Sequence, residues 1–126
     1  MTYRSHLAAV LTTVALVGGT LATAGPAQAA PNVPNISKGS GNRAGVLCVQ
    51  RGVNNWAQRT GQGRPLVEDK LFGSKTEAWV KKFQRASRLS VDGIVGKNTG
   101  NSILDNLTND GTWRSACYGY IPSTRR

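Results

Sequence analysis

Histidine is almost missing from the 126-residue sequence. The one copy, His6, stands close to the N-terminus, so everything after it lacks an imidazole to act as general base, proton shuttle or metal ligand. Cysteine occurs only twice, which is too few for a thiolate-rich zinc site. Acidic residues number six against sixteen basic ones. A glycosidase needs two carboxylates facing each other across a cleft, roughly 5–10 Å apart. Of Glu68, Asp69, Glu77, Asp92, Asp105 and Asp110, two read as loop residues and Glu77 as a helix cap. No Ser-x-x-Lys pair supplies a serine nucleophile with a lysine base. These absences together argue against the common hydrolytic chemistries, so the expectation is a chain that is not an enzyme and uses no metal and no other cofactor.

Long apolar runs are also lacking. The nearest is Leu7–Val17, preceded by Arg4 and His6 and followed by Ala27-Gln28-Ala29, the pattern of a secretory signal over residues 1–29. An uncleaved anchor is the alternative, but two glycines interrupt a stretch already short for a spanning helix. A secreted chain reaches an oxidising compartment, where Cys48 and Cys117 are expected to pair; two free thiols are the other reading. Residues 30–45, rich in Pro, Asn, Gly and Ser, read as a flexible lead segment.

A repeated loop is the clearest positive feature. VEDKLFGSKTE (67–77) and SVDGIVGKNTG (90–100) keep the same spacing: Asp69, Leu71, Phe72, Gly73 and Thr76 correspond to Asp92, Ile94, Val95, Gly96 and Thr99. Each copy reads as an aspartate turn feeding a helix, with the two apolar residues plugging the loop onto a core. Three helices follow from apolar spacing. Val46, Val49, Val53 and Trp56 form one stripe, ending near Arg59. Thr76, Trp79, Val80 and Phe83 form the second, with Ser74 and Glu77 as a capping box. Ile103, Leu104 and Leu107 form the third over about 97–107, where Gly100 weakens the helical signal. Residues 108–126, carrying Trp113, Tyr118 and Tyr120, are expected to fold back so that Cys117 reaches Cys48, with the last three residues mobile.

In these residues the chain resembles the peptidoglycan-binding domain found on bacterial cell-wall hydrolases. That pattern joins a leucine-glutamine step, an aspartate-glycine loop, a T-x-x-A-V-x-x-F-Q helix, a second such loop and a short last helix. Val49-Gln50 stands for the first step, Thr76, Val80, Phe83 and Gln84 match the central helix, and Asp92, Gly93, Ile94, Val95 and Gly96 match the second loop in full. Lys70 replaces the first loop's glycine and Trp79 the helix alanine. The resemblance implies an all-α, three-helix domain over 46–107 with a shallow groove and non-catalytic attachment to cell-wall polymer.

The expectation is therefore a secreted, monomeric, cell-wall-associated module that binds peptidoglycan. Its excess of basic charge also favours anionic wall polymers. No nucleic-acid motif is present, and no membrane association remains once the signal is removed. For ligand contact the candidates are Trp56, Arg59, Trp79 and Tyr118, although the tryptophans lie on inward stripes and the tail aromatics read first as a seal over the core. The rival expectation is a secreted protein-interaction or inhibitor module on the same fold.

Overall fold

A computed structural model describes residues 32–125. The secretory signal expected over 1–29 lies outside the described residues. The described chain is helical: α1 (Arg43–Arg59), α2 (Ser74–Ala86), α3 (Lys97–Asp105) and a five-residue α4 (Trp113–Cys117). The three expected helices are present, and the tail adds the short fourth one.

Helix α1 is the central element and packs against each of the other three. Its Val46, Val49 and Val53 are fully buried, as the stripe requires, and Ala57 continues it. The helix begins three residues before Val46 because Asn42 caps it: the Asn42 Oδ1 accepts from the Gly45 backbone N–H at 2.9 Å. Val80 and Phe83 of α2 and Ile103 and Leu104 of α3 close the core from two sides, with Leu107 just beyond α3. The capping box does not form. Gly73 is the N-cap residue of α2, and no side chain bonds that helix end.

The two loops are superimposable in chemistry, and a buried glutamine holds each. Gln50 Nε2 donates to Asp69 Oδ1 (3.0 Å), the Leu71 carbonyl (3.0 Å) and Thr76 Oγ1 (3.2 Å). Gln84 Nε2 donates to Asp92 Oδ1 (3.0 Å), the Ile94 carbonyl (2.9 Å) and Thr99 Oγ1 (3.1 Å). Each glutamine oxygen then accepts backbone N–H groups at the turn, from Lys70 in one copy and from Asp92 and Gly93 in the other. A primary amide suits this task because it carries two donors and two lone pairs on one planar group. The apolar plug is narrower than the sequence suggests. Phe72 and Val95 are buried, whereas Leu71 and Ile94 face solvent. Gly93 sits at φ +74°, and Lys70 adopts the same left-handed backbone at φ +68°, so the first turn keeps its shape despite losing the glycine.

The segments around this bundle are fastened to it. In the lead segment, Ile36 is fully buried and exchanges backbone hydrogen bonds with Val95 at 3.0 and 2.8 Å, while the Gly39 N–H donates to the Phe72 carbonyl at 3.0 Å. Residues 36–39 thus bridge the two loops. Cys48 and Cys117 form a disulfide with their Cα atoms 5.9 Å apart, both buried. Beyond it the tail lies across α3. Asn101 Oδ1 accepts from Ser123 Oγ (2.8 Å) and the Thr124 N–H (3.1 Å), and Arg125 pairs with Asp105, so Thr124 and Arg125 are engaged where mobility was expected. Gly100 explains itself here. A Cβ at that position would lie 1.7 Å from the Pro122 carbonyl oxygen, so the residue that weakens α3 as a helix is what lets the tail pass.

Candidate functional site

One face of α1 is buried, and the opposite face carries Arg51, Asn55 and Arg59 at i, i+4 and i+8, with Gln58 beside them. Residues 105–110, where the chain turns from α3 toward α4, come up against this face. Between them lies an open pocket of about 430 Å³, completed by Arg64 from the loop after α1. The pocket falls within the size range of ordinary small-molecule sites.

Its wall is built from interlocked charges. Arg51 grips Asp110 with two bonds, Nε to Oδ2 at 2.7 Å and Nη2 to Oδ1 at 3.0 Å, and reaches Glu68 at 3.2 Å. Arg64 donates to Glu68 at 2.9 Å and also to the side-chain oxygens of Asn55 and Gln58. Asn55 donates to Asp110 at 2.9 Å and to the Asn106 carbonyl at 3.0 Å, tying the helix to the turn. The Arg51 guanidinium also stacks 4.5 Å from the Trp113 ring centroid. The titration behaviour reflects this packing. Hydrogen bonds from Arg51 hold the Asp110 carboxyl down at about 2. Burial pushes the Glu68 carboxyl up, yet bonds from Asn54, Arg64 and Arg51 outweigh that and lower it. The loop carboxylates Asp69 and Asp92 are lowered as well, chiefly by the backbone N–H groups of Leu71 and Ile94.

The four expected contact residues fall in three places. Arg59 lines the pocket, and its guanidinium donates to the Asn106 side-chain oxygen. Trp56 and Trp79 meet edge to face at 6.4 Å, half-buried at the α1–α2 seam, where Trp56 also packs against Phe83 at 5.5 Å. Lys82 covers the Trp79 ring at 4.1 Å. Tyr118 lies on the tail, half-buried against the core, and its hydroxyl accepts from Arg114 at 3.1 Å. Arg51, Asn55, Arg64 and Asp110 were not anticipated at the site. The polar i, i+4, i+8 spacing of Arg51, Asn55 and Arg59 along α1 is the one available signal for Arg51 and Asn55; Arg64 and Asp110 lie outside that helix and have none. A second, smaller groove of about 280 Å³ lies beside the first loop and is lined in part by exposed Val67 and Leu71.

All the recorded ion pairs among the described residues use Arg51, Arg64, Arg114 or Arg125. Lys75, Lys81, Lys82 and Arg85 stand along the outer side of α2 with none. The described residues gather no cluster of three or more metal-ligating side chains.

This arrangement, three helices with two glutamine-held loops, defines a small helical domain. Residues 49–103, from the middle of α1 to near the end of α3, match the family model described as "Putative peptidoglycan binding domain". No curated protein and no solved structure matches the chain.

Proposed function

We propose that the protein is a secreted, non-catalytic module that holds to bacterial peptidoglycan. The observation that carries this reading is the family match over 49–103, a stretch that contains both glutamine-held loops and the pocket-facing side of α1. Recognition takes place in the polar pocket, with Arg59 as a contact residue and the Trp56–Trp79 pair at the neighbouring seam as a second contact. Tyr118 we assign to sealing the core, since its ring packs inward and its hydroxyl is occupied. The α2 cations, which pair with no carboxylate among the described residues, add a diffuse attraction to anionic wall polymers, which salt screens over about 10 Å at 0.1 M.

The test is co-sedimentation of residues 30–126, disulfide intact, with insoluble peptidoglycan stripped of phosphate polymers, at low and high salt. Retention at both supports recognition by shape and directed hydrogen bonds. Loss at high salt alone would reduce the interaction to charge. A second reading is favoured by exposed Val67 (71 %) and Leu71 (57 %) in the smaller groove: a secreted protein partner bound there. Failure to sediment in either salt would move the function to that surface.

A further inference from the structure

Peptidoglycan offers two chemistries, a sugar chain and short peptides that carry carboxylates. Resting on the wall-binding reading above, we infer that the pocket between α1 and the 105–110 turn takes a peptide carboxylate, with Arg59 as the anion anchor. Charge accounting within the pocket leads there. Asp110 and Glu68 are occupied by Arg51 and Arg64, and Asp105 by Arg114 and Arg125. Among the guanidinium groups lining the pocket, Arg59 is the one with no carboxylate within ion-pair distance among the described residues; its recorded bond is to the neutral side chain of Asn106. A guanidinium has five N–H donors in a planar fork, so most of its donors remain to receive an anion.

The rest of the lining suits a peptide better than a sugar. Of the side-chain amides that border the pocket, those of Asn55 and Asn106 are engaged in its wall, whereas Gln58 Nε2 and the Asn109 amide make no hydrogen bond to another described residue and present the donors and acceptor that a peptide bond needs. No aromatic ring among the described residues lines it, so these residues give it no flat apolar face against which a pyranose could stack. The bidentate Arg51–Asp110 pair and the Asn55 bridge fix the wall before a ligand arrives, which reduces the ordering cost of binding.

The experiment is titration calorimetry of residues 30–126 with three probes: the free peptide released from peptidoglycan, the same peptide with every carboxylate converted to the amide, and the peptide-free glycan chain. The free peptide should bind, and amidation should weaken it by about tenfold or more, the scale of one hydrogen bond to a charged group. Arg59→Gln should cause the same loss and Arg59→Lys a smaller one. Both variants should melt as the wild type does, because Arg59 is exposed. Binding of the glycan instead, equal binding of the amidated peptide, or wild-type affinity in Arg59→Gln would overturn the proposal. So would competition by inorganic phosphate at the concentration at which the peptide itself binds, which would make the pocket a general anion site. Sedimentation with whole peptidoglycan separates the two levels. If the wild type sediments but no peptide binds, the pocket assignment falls and wall binding stands; if it does not sediment, both fall.

Discussion

Replacing Gln84 by leucine keeps the volume of a fully buried side chain and removes only its amide. Five hydrogen bonds go with it, to Asp92 (two), Gly93, Ile94 and Thr99. They are unequal in consequence. Asp92 and Ile94 face solvent and can turn their polar groups to water, whereas the Gly93 N–H and the Thr99 hydroxyl are buried and would be left without a partner. Each orphaned buried group costs about 1–3 kcal/mol, and the rehydrated bonds add less, so the expected loss is about 3–5 kcal/mol. A small domain has about 5–15 kcal/mol in total, so Gln84→Leu should bring it close to unfolding. Urea denaturation of the oxidised protein, followed by tryptophan fluorescence, gives the difference directly. A loss below about 1 kcal/mol would refute the argument that the amide, and not the apolar plug of Val95, holds the second loop. Gln50→Leu provides the matched comparison, since Gln50 is equally buried and makes the corresponding bonds to the first loop.

Three further outcomes follow from the same structure. Gly100→Ala raises helix propensity by about 1 kcal/mol, yet its Cβ would collide with the Pro122 carbonyl; the variant should melt lower than the wild type and lose protease protection in the tail. Asp110 has its carboxyl held at about 2 in the folded chain against an ordinary 3.8, so its stabilising effect is complete above about pH 4 and disappears as pH falls toward 2. Asp110→Asn should therefore be less stable at neutral pH and should show a shallower acid limb in a pH series of thermal melts. Reducing the Cys48–Cys117 bridge, which spans 69 residues, should cost about 4 kcal/mol by the chain-entropy model, measured as the shift in denaturation midpoint with and without reductant.

The sequence made some of this legible and concealed the rest for physical reasons. Apolar spacing located α1, α2 and α3 because Val46, Val49, Val53, Val80, Phe83, Ile103 and Leu104 are local statements about which face is inward. The loop repeat was visible, but the function of Gln50 and Gln84 was not, since each reaches a loop 19 or 8 residues away and a buried glutamine has no periodic signature. Ser74 and Glu77 have the spacing of a capping box, yet neither side chain bonds the start of α2. Gly100 reads as a weak point in a helix until the tail is seen crossing it. The pocket was half legible: Arg59 was a candidate, whereas Arg51, Asn55 and Arg64 resemble any solvated helix face until the 105–110 turn, placed by long-range contacts, closes over them.

The two glutamine-held loops are copies, but the connections that lead to them are not of equal length. Gln50 precedes its aspartate by 19 residues and Gln84 by 8. The difference lies in two further turns of α1 past Gln50 and in a longer loop after it. Those added residues include Asn55, Gln58, Arg59 and Arg64, which form most of the helix-side wall of the pocket. The two loops form a repeated frame, and the longer connection between Gln50 and Asp69 adds a concave surface to it. Variation among related chains should accordingly concentrate in residues 54–68, where length and composition can change the ligand while the two loops hold the frame constant.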